Sequence, residues 1–531
     1  MKHLKKTFCI AVLGFFAAGS AFATTEQAKN TQDEAAKAIN VKCINCHLKE
    51  NVSLVKQWQN SPHAAAKDGQ VGCYNCHAAN KGDELGYEHE GAFIKTILTP
   101  MDCKFCHERE VQEMVNSHHA TAGEIMASLD NVVGEVICSI EPEKADVVNG
   151  CWQCHGSIIK IKRGEDGKPL KNEAKAVMID YMTWPNTGIG RIHPDGSKGS
   201  CMACHSKHSF RSSVARQPDN CGKCHMGTDH PQIELYNESK HGIAYRASVR
   251  EGGANGMNIL KNGTWVLGKD YYSAPTCSTC HMGAYVKLDG GIAPNTHNVG
   301  DRISWTLRPK VSVKLNRVIF NDGTVADVIG DIPPMAGQSA QYKTYVLKEG
   351  KLKKVMAEKQ VEKVISWEDR RNNMKGACKA CHVFQQVENF YTQFDSLVVT
   401  YNEKFAKPTQ MLYKMAMKDG LIHGSTFHTE LGWIWWEIWH HEGRRARHGA
   451  SMQGPDYTHW HGMYEVAKHF YFKFIPELMK LAAENNMTDK YEKTVNELLA
   501  KPEHAWYKGG FDADAMKAIK AEAAERYGEK K

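Results

Sequence analysis

A chain of 531 residues with 18 cysteines and a formal charge of +7 is too long for one small core, so two or three packed regions are expected. Beyond its first residues it has no uncharged apolar run near the ~20 residues that cross a bilayer, which argues against a membrane-spanning body. The cysteine spacing also argues against a disulfide framework: sixteen fall in C-x-x-C pairs, each followed directly by His.

Residues 1–23 read as a secretory signal peptide. Lys2, Lys5 and Lys6 precede an apolar run from Phe8 to Ala18, and Ala21-Phe22-Ala23 offers a small-x-small cleavage site before Thr24. The run is shorter than a membrane span. The expectation is a leader cleaved near Ala23 and a periplasmic protein with no membrane anchor. Loss of the three lysines leaves a charge of about +4.

The body of the chain carries Cys43-Cys46-His47, Cys73-Cys76-His77, Cys103-Cys106-His107, Cys151-Cys154-His155, Cys201-Cys204-His205, Cys221-Cys224-His225, Cys277-Cys280-His281 and Cys378-Cys381-His382. C-x-x-C-H is the attachment signature of c-type haem: each thiol adds across one vinyl group and the adjacent His lies beneath the iron. Zinc sites pair C-x-x-C units without requiring His after each, and thioredoxin-like motifs do not recur in this way. Eight covalently attached c-type haems are therefore expected, with His47, His77, His107, His155, His205, His225, His281 and His382 as proximal ligands. The other two cysteines are Cys9, in the leader, and Cys138. Eight haems bring roughly 16 propionates and make the holoprotein net acidic, so no nucleic-acid partner is expected. Surplus basic residues, among them Arg444, Arg445 and Arg447, read as propionate partners.

Low-spin haems usually take a second axial ligand. Four candidates share one pattern, a Ser two residues before the His: Ser61 before His63, Ser117 before His119, Ser206 before His208 and Ser239 before His241. Each follows a motif by 3 to 16 residues. A Ser at that distance can cap a helix whose early residue is the ligand. His297 is a fifth candidate, His89 and His448 are weaker ones, and His118 can stand in for His119. A haem lacking such a ligand could bind a small substrate. A fully ligated set would be an electron conduit.

The motif starts are 30, 30, 48, 50, 20, 56 and 101 residues apart, which is no uniform repeat. The predicted fold is mainly α: a haem-packed cytochrome c body over residues 24–385, a small β insertion at about 310–365, and long C-terminal helices over 386–531. Val311, Val313, Val318, Ile319 and Phe320 look strand-like and run into the hairpin-type turn Asn321-Asp322-Gly323. The insertion is expected to carry no chemistry of its own. From about residue 384 apolar residues recur at helical spacing, and Trp433, Trp435, Trp436 and Trp439 read as core.

The fourth motif, Cys151-Trp152-Gln153-Cys154-His155-Gly156, resembles the C-W-x-C-K catalytic motif of pentahaem nitrite reductases, but its last residue is His155, which argues against a lysine-ligated reductase. The wider pattern resembles the octahaem hydroxylamine oxidoreductase family. The likeness is carried by Thr183-Trp184-Pro185-Asn186-Thr187-Gly188, the stretch from Cys224 to Pro231, Glu238-Ser239-Lys240-His241-Gly242, Thr296-His297-Asn298-Val299-Gly300, and the segment from Trp439 to Gly462. The resemblance implies that the haem on Cys151 and Cys154 is open and catalytic, and that Asp229 and His230 line its distal pocket. A carboxylate beside an imidazole suits proton transfer near neutral pH. It further implies a Tyr from a neighbouring subunit bonded to that haem in members that oxidise hydroxylamine, with Tyr457 as candidate and Tyr464 as second, and hence a homotrimer. The expected activity is oxidation of hydroxylamine to nitric oxide or nitrite, with electrons passed to a partner cytochrome. The alternatives are reduction of nitrite or hydroxylamine to ammonium, oxidation of hydrazine, and electron conduction without catalysis.

Overall fold

The computed structural model describes residues 34–66, 69–127, 151–251, 263–329, 332–348, 351–504, 506–509 and 513–528. The expected leader, with Cys9, and Cys138 lie outside the described residues. The fold is mainly helical with small sheets. Among the described residues no helix is long and apolar enough to cross a membrane.

Each C-x-x-C-H motif lies on or beside a short helical turn, because residues three apart on a helix share a face and so present both thiols to one side. The turns include Cys73–His77, Pro100–Lys104, Cys151–His155, Pro218–Gly222 and Cys277–His281. Helices this short do not hold themselves. Local devices start them: the Thr99 hydroxyl accepts from the Met101 N–H while Asp102 accepts from the Thr99 N–H, and Thr276 caps Cys277–His281. The first and last motifs sit on longer helices, Glu34–Glu50 and Trp367–Lys379. Of the four serines read as caps, Ser239 does cap, accepting from the Gly242 N–H at the start of Lys240–Glu251. Ser117 instead donates back to the Met114 carbonyl, and Ser61 accepts from the Ala64 N–H in a turn.

Strands are short until residue 305. β1 (Tyr87–His89) and β2 (Ala92–Ile94) form a hairpin. Its two loop residues, Glu90 and Gly91, have φ of 50° and 81°, the pattern of a tight I′ turn. The hairpin fixes His89 at the end of β1. β3 (Val266–Leu267), β4 (Ala284–Val286) and β5 (Ile292–Ala293) make a small sheet.

A five-stranded antiparallel sheet then spans residues 305–365: β6 (Trp305–Thr306), β7 (Val313–Phe320), β8 (Val325–Ile329), β9 (Ser339–Lys348) and β10 (Lys351–Ile365). The order is β6-β7-β10-β9, with β8 also on β7. Gly323, at φ 78°, closes the turn between β7 and β8, a conformation that favours Gly. Phe320 stacks on Tyr342 at 4.6 Å over Val318 and Val361. The insertion is tied to the helical body through ion pairs. Asp327 of β8 takes ion pairs from His118, Arg317 and Arg370, and His118 is the neighbour of the candidate ligand His119.

The C-terminal helices pack around Trp435, Trp436, Phe470, Phe474, Leu412 and Tyr491, all nearly fully buried. They are not regular α-helices. Wide π turns interrupt them at Tyr401–Ala406, Glu437–Glu442, His459–Tyr464 and Phe470–Phe474. Such turns are rare and are frequent at functional sites. One of them continues Glu430–Trp436 into Gly443–Met452, and its residues face the segment that follows the sixth motif.

Candidate functional site

Six motif histidines face a second histidine ring. Centroid separations are 6.2 Å for His47 and His89, 6.4 Å for His77 and His208, 6.1 Å for His107 and His63, 6.3 Å for His205 and His297, 6.1 Å for His225 and His119, and 5.9 Å for His382 and His241. A metal held ~2 Å from one nitrogen of each ring separates the centroids by about 6 Å. These pairs therefore have the spacing that two axial imidazoles need. The residues present fit the implied haems on this test.

The pairing is non-local. His63 lies between the first two motifs yet faces the third. His208 follows the fifth and faces the second. His119 follows the third and faces the sixth, His297 follows the seventh and faces the fifth, and His241 follows the sixth and faces the eighth. Neutral imidazoles are required for metal ligation, and burial favours that form in several of these rings. Burial first, and then the partner histidine, lowers the pKa of His119 to about 3 and of His205 and His208 to about 4, while in His225 burial and then the charge of His230 bring it to about 4. In His281 burial, followed by the charge of Arg302, brings it to about 4.

His448 does not join this pattern among the described residues. It is part-buried, and the Gln232 amide nitrogen lies 3.5 and 3.4 Å from its two ring nitrogens. His118 points away from the motifs to Asp327, leaving the His225 partner as His119.

Neighbouring motifs touch through their thiols. Cys43 lies beside Cys73, Cys103 beside Cys201, Cys154 beside Cys224, and Cys221 beside Cys277. The sixth motif thus touches both the fourth and the seventh. The Cys154 thiol also lies 3.9 Å from the Lys223 carbonyl.

Asp229 and His230 follow the sixth motif in the loop before Gln232–Glu238. His230 Nδ1 is 2.8 Å from Asp229 Oδ1. The Arg444 guanidinium lies 3.2 Å from both Asp229 Oδ2 and His230 Nε2. His440 Nδ1 is 3.6 Å from Asp229 Oδ2, and its ring stacks on Trp436 at 3.8 Å. Arg444 and His440 are buried, while Asp229 and His230 keep about a quarter of their side-chain surface. Burial alone would raise the Asp229 pKa. The hydrogen bond and charge of His230, then Arg444 and His440, overcome it and hold the carboxyl well below the usual range. Asp229 is therefore ionised, and the contacts favour an imidazole that donates from Nδ1 to Asp229 and accepts at Nε2 from Arg444.

This replaces the reading of the arginine run. Arg444 serves Asp229 and His230, and Arg445 pairs with Glu465 at 2.6 Å. Arg447 is fully buried, binds the Trp439 and Gly443 carbonyls and Ser312, and lies 4.3 Å over the Tyr401 ring. Sequence reasoning missed His440. Its signal was the arrangement of His440 and Arg444, four residues apart on one helix.

Tyr457 lies elsewhere. It is part-buried, its ring is 5.7 Å from His461, and its N–H donates to Glu238. Among the described residues it makes no hydrogen bond or ring contact with Asp229 or His230. Trp460 and Tyr464, on the same helix, are more than half exposed.

Known proteins give the following likenesses. A family model described as seven times multi-haem cytochrome CxxCH matches residues 182–323, and one described as cytochrome c7 and related cytochrome c matches 136–226. A probable nitrite reductase-hydroxylamine oxidoreductase fusion protein of Kuenenia stuttgartiensis is 32% identical over 151 residues. That match covers 26% of this chain and 16% of the relative, so the chain spans under a fifth of that protein. Among solved structures, a hypothetical multiheme protein superposes with a TM-score of 0.64 at 25% identity, covering 86% of this chain and 99% of its own. The Kuenenia stuttgartiensis reducing HAO-like protein complex has a TM-score of 0.53 at 16% identity, over 87% of this chain and 88% of that one.

Proposed function

We propose that this chain, a multihaem c-type cytochrome by its motifs and the family models it matches, belongs with the hydroxylamine oxidoreductase-like proteins it resembles and is an oxidoreductase acting on a small nitrogen compound at the haem tethered by Cys151 and Cys154. All eight motifs carry haem in this reading. His47, His77, His107, His205, His225 and His382 are paired with His89, His208, His63, His297, His119 and His241. His155 is the proximal ligand of the working haem. His448 remains a weaker candidate distal ligand, with no motif histidine assigned to it. The observation that carries the reading is the Asp229–His230–Arg444–His440 cluster, set directly after the motif whose Cys224 thiol touches Cys154.

When bound, the haem supplies an open iron position and a path for electrons. The protein supplies protons and charge. Hydroxylamine oxidised to nitric oxide gives up three electrons and three protons; with water, oxidation to nitrous acid releases four of each. His230 Nε2, once it exchanges its Arg444 contact for substrate, is the base that takes these protons one at a time and passes them to solvent, and ionised Asp229 holds each resulting imidazolium through Nδ1. A periplasmic cytochrome takes the electrons. Tyr457 of a neighbouring subunit in a homotrimer is part of this oxidative reading.

A second reading is favoured by one observation. Arg444 places a buried guanidinium beside His230, and a guanidinium fork suits an oxyanion. Nitrite reduction uses the same groups in reverse, with His230 as proton donor. Assays of the purified holoprotein with hydroxylamine and an oxidised acceptor, and with nitrite and a reduced donor, separate the two. Arg444→Leu should raise the KM for nitrite by ~10–100-fold, the scale of a charge-assisted hydrogen bond, and change that for neutral hydroxylamine far less. Equal effects on both substrates would remove the reductive reading.

The ligand pairs make a spectroscopic prediction. His208→Ala should convert one low-spin haem to high-spin, seen as loss of one low-spin set in the electron paramagnetic resonance spectrum. An unchanged spectrum would exclude His208 as the partner of His77.

A further inference from the structure

We propose that Glu437, Glu442 and His469 form a binding site for a first-row divalent cation, independent of the haem chemistry above. One ligand atom from each lies within 4.8 Å of the others. His469 Nδ1 is 2.6 Å from Glu442 Oε1 and 3.9 Å from Glu437 Oε2.

The backbone explains why two glutamates share a face. In an α-helix, residues five apart point about 140° away from each other. Glu437 and Glu442 bound a π turn, whose i to i+5 closure brings such residues one above the other. Across from them, His469 sits where Glu465–His469 enters the next π turn, Phe470–Phe474.

The second observation concerns what the buried atoms lack. The Glu442 side chain is 4% exposed, and its Oε2 is buried with no hydrogen-bond partner. His469 Nδ1 is also buried and faces the other oxygen of that carboxylate, Oε1, as an ion pair, leaving Oε2 with no partner of its own. The nearest guanidinium is committed elsewhere, with Arg445 on Glu465. A buried carboxylate oxygen without a partner is costly, and a cation placed between the three groups removes that cost. Fully buried Val466, Phe470 and Ile438 of the adjoining core are close in sequence to the three ligands, whereas Glu437, 40% exposed, opens the site to solvent and leaves room for water as a further ligand.

One imidazole with two carboxylates suits zinc and its first-row neighbours, bound at about 2.0–2.2 Å. Calcium and magnesium prefer all-oxygen sets. The cation would clamp two C-terminal helices and fix the π turn that holds His440 against Asp229.

The test uses the full holoprotein, stripped with a chelator and titrated with Zn²⁺, with bound zinc counted by mass spectrometry and located by anomalous scattering at the zinc edge. One zinc per chain beyond the haem iron is expected, not displaced by excess Ca²⁺. Glu442→Gln should weaken it by at least ~100-fold, since losses of second-sphere groups alone cost 10–100-fold. Glu437→Gln, at a partly exposed position that the fold tolerates, should weaken it as well. Absence of zinc from the wild-type protein, a zinc peak elsewhere, or wild-type affinity in Glu437→Gln would overturn the site.

Discussion

Replacing His230 with Asn lowers turnover by ~10²–10⁴-fold, the usual contribution of a positioned proton-transfer group, while covalent haem content stays unchanged. Asn keeps the approximate volume and a donor toward Asp229 but cannot carry a proton. Asp229→Asn should fall nearly as far for a different reason. The Asn amide can donate to His230 Nδ1, which favours the tautomer protonated at Nε2 and removes the acceptor the mechanism needs. The two losses should be non-additive in the double variant because the residues act as a unit. Steady-state rates with hydroxylamine, together with the reduced spectrum as a control on the haems, provide the measurement. A His230→Asn rate within threefold of wild type would leave the cluster structural and the molecule a conduit.

Arg370→Met destabilises the fold by about 1–3 kcal/mol, the cost of leaving buried carbonyls without their donor while Asp327 keeps Arg317 and His118. Arg370 is fully buried, pairs with Asp327 at 3.1 Å and donates to the Gly300 and Leu315 carbonyls. Gly300 is part of the arrangement. A Cβ there would lie 2.8 Å from both the Arg317 and Arg370 guanidinium nitrogens and 3.0 Å from His118 Nδ1, so a side chain is excluded. Chemical denaturation of the holoprotein followed by circular dichroism reads the loss. Burial would raise the Asp327 pKa, but His118, Arg317 and Arg370 hold it well below the usual range. Its stabilisation is thus complete above the unfolded carboxylate value of about 4 and is lost only as pH falls below it. The stability gap between wild type and Asp327→Asn should be full at neutral pH and close below about pH 4. A gap that widens on acidification would contradict the assignment.

Which parts of this architecture the sequence reveals follows from how local each determinant is. C-x-x-C-H is complete within five residues, and period-two and helical patterns marked the sheet and the C-terminal helices. The hairpin turn at Gly323 and the buried tryptophans were likewise readable nearby. Ligand pairing was not, because His63, His208 and His241 each face a motif far from the one they follow, and only the tertiary fold decides that. The serine spacing suggested helix caps, which Ser239 provides, whereas Ser117 bonds back to the Met114 carbonyl and Ser61 closes a turn. Arg444 was visible as a basic residue but was matched to propionates. Its partner, Asp229, lies 215 residues away. The Asp327 and Arg370 network was illegible for the same reason, and nothing local joins Glu437 to Glu442, because a spacing of five is wrong for an α-helix and right only for a π turn.

The contacts of the sixth motif have a consequence for traffic within the molecule. Cys224 lies beside Cys154 and Cys221 beside Cys277, so the sixth motif is a junction that adjoins both the fourth and the seventh. If the fourth haem is where the reaction occurs, charge can pass between it and the rest of the molecule through this junction, whichever direction the reaction runs. Damage at the junction would then slow traffic to the fourth haem more than the reduction of the distant ones.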